Sequence, residues 1–275
     1  MVKYCSINGQ LWEYDKASLH VSDLSILRGY GIFDFFRVVG GQPVCLEDYL
    51  QRFFRSAALL GLNVPLDRAD MESAVFQVIA ANHLEEAAIR LVLTGGLAED
   101  SYTPTEPNLL ILPNAFIPAP GPQYQRGVSL MTYPHQRECP EAKTINYLTG
   151  IRMQPILKAK GFDYLLYHDG DAVRESDRAN FFIVTPEHKL VTPNQKILLG
   201  ITRKRILGIA TDRMAIEERD IHLSELLTCK EAFLSGSNKG ILPVCQIDDH
   251  KIGTGAPGVS TLQLMEALEQ EIPAY

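Results

Sequence analysis

Cysteine is scarce in this chain and never closely paired: Cys5, Cys45, Cys139, Cys229 and Cys245 make five, scattered over 275 residues. That odd, dispersed set argues against a disulfide framework or a zinc site, and leaves packing thiols as the plain reading. The seven histidines show no H-E-x-x-H or related ligand spacing, so no metal is expected. Positive charge is in deficit, with 26 Lys+Arg against 33 Asp+Glu and a net charge of −7. This argues against a nonspecific nucleic-acid binder, which needs a basic surface. No apolar run approaches the roughly 20 residues of a membrane helix, so no membrane partner is expected. The opening M-V-K-Y-C-S-I-N-G-Q has no apolar core like a signal peptide's, so a cytoplasmic location is expected by default. Internal repeats and low-complexity tracts are also missing. What remains is an ordinary globular composition, 46% hydrophobic and 21% charged, long enough for a substantial core in one or two domains.

Turn residues punctuate the first hundred positions. Asn8-Gly9 between Lys3–Ile7 and Leu11–Tyr14, and Gly40-Gly41 between Ile32–Val39 and Pro43–Leu46, predict two β-hairpins. Leu46, Leu50, Phe53, Ala57 and Leu60 recur at helical spacing, with Gly61 as a stop. A second helix is predicted over Asp67–His83. In Ile89–Thr94 the leucines alternate with Arg90, which places that arginine on the opposite strand face; Asn108–Leu112 is a further strand. Four prolines in P-N-A-F-I-P-A-P-G-P-Q at 113–123 read as a stiff linker. The expected organisation is an N-terminal domain over 1–113, a linker over 114–123 and a C-terminal domain over 124–275. In the latter, strands are predicted at Val128–Tyr133, Tyr164–His168, Phe181–Val184, Lys189–Val191 and Ala232–Leu234. Helices are predicted at Tyr147–Lys160, Thr202–Thr211 and Thr261–Glu271.

The residues that carry chemistry come in a fixed order: A-K-T-I-N-Y-L at 142–148, R-E-S-D-R-A-N-F-F-I-V at 174–184, L-L-G-I-T-R-K-R-I-L at 198–207 and F-L-S-G-S-N-K-G-I-L-P-V at 233–244. A lysine that is to attack an aldehyde must be uncharged, which burial and nearby positive charge favour; Lys143 fits that role, with Lys239 as its chief rival or else a solvated surface charge. Glu175 suits the ring nitrogen of pyridoxal phosphate, since a carboxylate there keeps it protonated. Gly200-Ile201-Thr202 leads into a helix whose first amides and dipole bind phosphate, although Thr202 taken alone is as well explained as a helix cap. Arg52 has the fork to grip phosphate oxygens, and the turn Ser237-Asn238 offers further donors. G-T-G-A-P-G at 253–258 fits a dinucleotide pattern by spelling only. Too little chain follows it for a βαβ unit, so it reads as a lead into the last helix.

The order K-x-x-N-Y-L, E-S-x-x-x-N-F-F, L-G-I-T-R, S-G-S-N-K-G-I-L-P-V, together with R-G-Y-G-I-F-D-F-F-R at 28–37 and L-x-x-Y-L-x-R-F-F-x-S-A at 46–57, resembles the class IV aminotransferases. The resemblance spans nearly the whole chain. It implies a two-domain fold type IV enzyme mixing α/β and α+β architecture, a small N-terminal α/β sandwich and a larger barrel-like C-terminal domain, like that of D-amino acid aminotransferases. It implies pyridoxal 5′-phosphate as cofactor, with Lys143 as catalytic lysine, Glu175 at the ring nitrogen and Tyr147 at the phenolic oxygen. Arg52, Ile201, Thr202, Ser237 and Asn238 would surround the phosphate. It also implies a homodimer with active sites at the interface, in which the loop Arg28–Phe33 reaches the partner's site.

Arginines are the natural ligands for substrate carboxylates, and Arg28, Arg90 and, more weakly, Arg178 are the candidates, beside Phe33. Well-studied D-amino acid transaminases carry an Arg-x-His pair after the strand of Arg90; T-G-G-L-A-E-D-S at 94–101 lacks it. A buried arginine would be costly in the apolar pocket of a branched-chain enzyme. The expectation is therefore a D-amino acid transaminase acting on small amino and keto acids. A branched-chain L-amino acid aminotransferase, an aminodeoxychorismate lyase and a protein that holds the cofactor without turnover are the alternatives.

Overall fold

The computed structural model describes residues 2–272. The chain divides into two compact units, Met1–Ile117 with Ala142–Asn146, and Pro118–Glu141 with Tyr147–Tyr275. The stretch 142–146, which contains Lys143, thus belongs with the first unit although it interrupts the second in sequence.

The first unit contains β1 (Tyr4–Ile7), β2 (Gln10–Glu13), α1 (Leu24–Arg28), β3 (Gly31–Val39), β4 (Gln42–Pro43), α2 (Leu46–Leu59), α3 (Arg68–Ala81), β5 (Glu86–Thr94) and β6 (Leu109–Asn114). The strands form one antiparallel sheet in the order β2-β1-β6-β5-β3-β4. Both hairpin turns are left-handed at their two central residues, Asn8 (φ 52°) and Gly9 (φ 82°), then Gly40 (φ 54°) and Gly41 (φ 73°). That is the twist a two-residue hairpin needs. The second hairpin is shorter on its return side than predicted, because Cys45 turns left-handed (φ 53°) and starts α2. Helices α2 and α3 pack on the sheet, burying Leu50, Phe53, Val75 and Val78 together with Ile32, Phe36, Val38, Ile89 and Leu91. Side chains alternate along β3: Ile32, Asp34, Phe36 and Val38 are buried, whereas Phe33, Phe35 and Arg37 occupy the other, more open face.

The second unit contains α4 (Gly121–Arg126), β7 (Val128–Pro134), α5 (Leu148–Lys160), β8 (Tyr164–His168), β9 (Ala172–Ser176), β10 (Ala179–Val184), β11 (Lys189–Thr192), α6 (Ile201–Ala210), β12 (Ala215–Glu218), β13 (Ile221–His222), β14 (Glu231–Gly236), β15 (Gly240–Ile247), β16 (His250–Lys251) and α7 (Val259–Glu271). Strands β10, β14, β15, β7, β8 and β9 pair in that order, and β9 pairs back to β10. The ring closes into a six-stranded barrel, which leaves its members without free edges. Its strands bury Val128, Leu130, Leu166, Val173, Phe181, Ile183, Leu234, Leu242 and Val244 in one apolar cluster. Helix α5 adds Met153 and Leu157 against Met131, Leu165 and Tyr167. The proline-rich stretch expected to be plain linker carries the short helix α4, whose Tyr124 donates from Oη to the Lys239 carbonyl at 2.8 Å. Strand β15 was not predicted, because Pro243 lies inside it. Pairing with β7 begins only at Val244, so the missing proline N–H is not called on there. Among the described residues, no helix is long and apolar enough to cross a membrane.

Candidate active site

In the first unit, the backbone around Lys143 is pinned to the start of β3. Phe33 N–H donates to the Lys143 carbonyl (2.9 Å), Ile145 N–H donates to the Gly31 carbonyl (3.1 Å), and Ile32 bridges Thr144. Lys143 N–H donates to Ser56 Oγ on α2 at 3.2 Å. The side chain is thereby delivered to Phe33, with Nζ 4.5 Å from the ring centroid. In the β3–β5 register Phe33 faces Val92 and Phe35 faces Arg90, so Arg90 shares the open face with Phe33. Arg90 is exposed there, while Leu91 and Leu93 are buried on the other face, as the alternation predicted.

Arg52 and Arg28 are engaged within the same unit. Arg52 donates from Nε (2.9 Å) and Nη2 (2.6 Å) to the two carboxylate oxygens of Asp34, both side chains being buried. Loss of either member of a buried pair strands the other charge, at a cost of about 3–5 kcal/mol. Asp34 belongs to the helix-covered side of β3, so the fork predicted to meet phosphate is oriented by a carboxylate that the sequence did not single out. Arg28 closes α1, which Asp23 caps by accepting from Ser25 N–H and which Gly29 ends at φ 66°. Its Nε donates to the Ser101 carbonyl and its Nη1 to the Leu27 carbonyl, each at 3.1 Å.

The second unit holds the remaining predicted residues. Glu175 is buried on β9; its Oε1 accepts from Arg137 Nε at 2.7 Å and its Oε2 from Leu198 N–H at 3.0 Å. Across the β9–β10 pair lies Asn180, whose Nδ2 donates to the Leu198 carbonyl at 2.7 Å. The carboxylate and the loop entering α6 are therefore tied together. Gly200 is the N-cap of α6 and has no side chain to occupy the first amides; Ile201 and Thr202 follow, both buried. Tyr147 precedes α5, and burial pushes its phenol up to about 12, with Glu175 and Asp177 adding to that and Arg137 opposing it. It therefore remains a hydrogen-bond donor throughout the neutral range. Ser237 and Asn238 form the turn between β14 and β15, and Ala119 N–H donates to the Asn238 carbonyl. Arg178 is half exposed in the turn after β9, with Nε 3.3 Å from Asp177 Oδ2.

Lys239 departs from expectation. It is not solvated but buried, only 4% exposed, with Nζ 3.2 Å from Asn238 Oδ1 and 5.2 Å from the Tyr164 ring centroid. Burial, then the nearby Arg178, hold its ammonium down to about 8, against the opposing pull of Asp177. Arg137, Asn180 and Asp34 are the contributors that sequence reasoning missed. Asn180 is spelled within the motif at 174–184, but nothing in its spacing marks a role.

The sequence profile described as amino-transferase class IV matches residues 31–247. The chain belongs to the class IV aminotransferases. Among relatives of this class IV aminotransferase, a D-alanine aminotransferase of Bacillus licheniformis is 27% identical over 276 residues, covering 96% of this chain and 95% of the relative. A Methanocaldococcus jannaschii protein provisionally named a branched-chain-amino-acid aminotransferase is 30% identical over 269 residues, covering 94% and 93%. The branched-chain amino acid aminotransferase of Escherichia coli shares the fold at a TM-score of 0.89 and 22% identity, covering 97% of this chain and 93% of that one. A Mycobacterium tuberculosis protein described as a hypothetical aminotransferase, solved in its PLP-bound form, gives 0.83 and 20% over 98% of each chain.

Class IV aminotransferases use pyridoxal 5′-phosphate and act on small amino and keto acids. The residues present fit that cofactor. A helix start with a glycine N-cap suits a phosphate, a buried carboxylate held by an arginine suits a cationic ring nitrogen, and a half-buried lysine over an aromatic ring suits the reactive amine.

Proposed function

We propose that this class IV aminotransferase moves the amino group of a D-amino acid, of the D-alanine or D-glutamate type, to a 2-keto acid such as 2-oxoglutarate. The observation that carries the reading is Arg90. It stands exposed on the same sheet face as Phe33, the ring over which the Lys143 amine lies. Among the described residues no carboxylate pairs with it. A guanidinium in that position matches a substrate carboxylate.

Pyridoxal phosphate supplies the electron sink for the charge left when the substrate α-proton departs. Lys143 carries the amine that binds the cofactor and then moves that proton. Glu175 keeps the ring nitrogen protonated, and Tyr147 donates to the phenolic oxygen. The α6 start at Ile201 and Thr202, the Ser237-Asn238 turn and Arg52 hold the phosphate. Arg90, with Arg28 and Arg178, takes carboxylates, and Phe33 lines the substrate side. The active form in this reading is a cytoplasmic homodimer in which Arg28 serves the partner's site.

The test compares D-alanine and D-glutamate with L-leucine, each with 2-oxoglutarate. D-amino acid turnover is expected, and turnover of L-leucine alone sinks the proposal. Arg90→Ile should raise KM for dicarboxylic substrates more than for amines lacking a carboxylate. The 30% identical methanogen relative favours the branched-chain reading as the second possibility, and the same assay decides between the two. Pyruvate released from aminodeoxychorismate without an added keto acid would instead indicate the lyase. Bound cofactor absorbance that no amino acid changes would indicate a protein that only holds the cofactor.

A further inference from the structure

Glu175 can serve a ring nitrogen only if it is ionised and aimed, and burial opposes the first. An isolated carboxylate inside a protein takes up a proton rather than remain charged. The side chain of Glu175 is 6% exposed, and a guanidinium meets its charge: Arg137, 18% exposed, with Nε 2.7 Å from Oε1. Arg137 is itself held, since its Nη2 donates to the Pro140 carbonyl at 2.6 Å. The preceding residues are tied down as well, Gln136 Nε2 donating to the Lys196 carbonyl at 3.2 Å and His135 N–H to the His168 carbonyl at 3.0 Å. On its other oxygen Glu175 takes Leu198 N–H, and Asn180 takes the Leu198 carbonyl. The frame Arg137–Glu175–Leu198–Asn180 therefore runs from the R-E-C-P segment to the loop that starts α6.

Among the described residues of the second unit, four neighbouring ionisable groups and Arg178 differ from Arg137 in charge or in partner. Tyr147 and Tyr167 are both pushed up, first by burial, and stay neutral. Asp177 is buried and of the wrong sign, and Arg178 is turned to Asp177. The His135 imidazole is held down by burial and by the Arg137 charge.

We propose that Arg137 is a positioning residue of the transamination site, which keeps Glu175 ionised and oriented so that the cofactor's ring nitrogen remains protonated. The inference rests on the reading that Glu175 meets that nitrogen. Without Arg137 the buried carboxyl takes a proton and turns from acceptor to donor, the ring nitrogen loses its proton, and the ring becomes a poorer electron sink.

The test loads the parent, Arg137→Met, Arg137→Lys and Glu175→Gln with cofactor carrying 15N at the ring nitrogen and records its resonance. A protonated nitrogen is expected in the parent and in Arg137→Lys. A shift towards the unprotonated position is expected in Glu175→Gln and Arg137→Met. In Arg137→Met, kcat should fall about tenfold or more, the equivalent of one pKa unit in the Glu175–ring pair, while KM changes less. A parent-like resonance in Arg137→Met overturns the inference, whatever happens to its Tm. If Glu175→Gln also leaves the resonance unmoved, the assignment of Glu175 to the nitrogen has failed; if Glu175→Gln shifts it and Arg137→Met does not, only the role of Arg137 has. Should Arg137→Met not fold, Arg137→Gln, neutral but still hydrogen-bonding, carries the same expectation and the same overturning result.

Discussion

Lys239 carries its charge where water does not reach it, and the consequence is measurable. Its folded value, about 8, lies below the roughly 10.4 of a free lysine. Between those values the unfolded chain binds the extra proton, so stability is reduced below pH 8 and rises as the pH climbs towards about 10.4. Lys239→Met should therefore be more stable than the parent at pH 7, by roughly 1–2 kcal/mol once the lost Asn238 and Tyr164 contacts are counted. The advantage should vanish by about pH 10.4. Urea unfolding at the two pH values checks this, and an equal difference at both would mean that the ammonium is not destabilised. The residue also shows where single positions mislead in a sequence. A lysine beside a polar turn reads as solvated, and only packing under Tyr164 and α4 buries it. Lys143 stands out as a candidate because its motif does, whereas Arg137 does not, because its partner is Glu175, 38 residues on, and no local spacing relates the two.

Helix α6 shows how an element is aimed by one missing side chain. A Cβ on Gly200 would collide with Asn180 Oδ1, and Asn180 is the residue that holds the Leu198 carbonyl. Gly200→Ala should push Asn180 aside and move the first amides of α6, so cofactor affinity should drop about tenfold or more, equivalent to losing one good hydrogen bond to a charged group. Equilibrium dialysis of the cofactor reads this directly, and unchanged affinity would remove α6 from phosphate binding. Helical spacing made α2 readable and the Gly40-Gly41 turn made β3 readable, and α3, α6 and α7 lie close to the ranges expected of them. Strand β9 was harder to see, because A-V-R-E-S puts two charges at positions that are all buried. Burial is tolerable there only through ion pairs, Arg174 with Asp169 and Asp220, and Glu175 with Arg137, and those partners come from other segments. Strand β15 was hidden by Pro243, for which the open side of the register leaves room. Helix α1 is five residues long and too short for any period to show.

For the whole molecule, the proposed assembly turns on a surface of the first unit. Helix α1 and the segment 97–102 are joined by the Asp23–Leu97 bridge and by Arg28 Nε to the Ser101 carbonyl. They expose Ile26 (58%) and Tyr102 (80%), and Val21 (73%) is exposed just before α1. Large apolar side chains grouped beside a candidate substrate arginine are what an interface that shares its active sites requires. The arrangement can be tested by complementation between two inactive chains. Lys143→Ala and Arg28→Ala are each expected to lose activity as homodimers. In a mixed dimer where Arg28 serves the partner's site, one site combines both defects and the other combines neither. Mixing after partial unfolding and reassembly should then restore about half the parent activity per mixed dimer, the fraction of intact sites that C2 symmetry dictates. If Arg28 acts within its own chain, every site of the mixed dimer carries one defect and no activity returns. Activity per milligram against mixing ratio, with sedimentation confirming the dimer, separates the two arrangements without any assumption about which amino acid is the substrate.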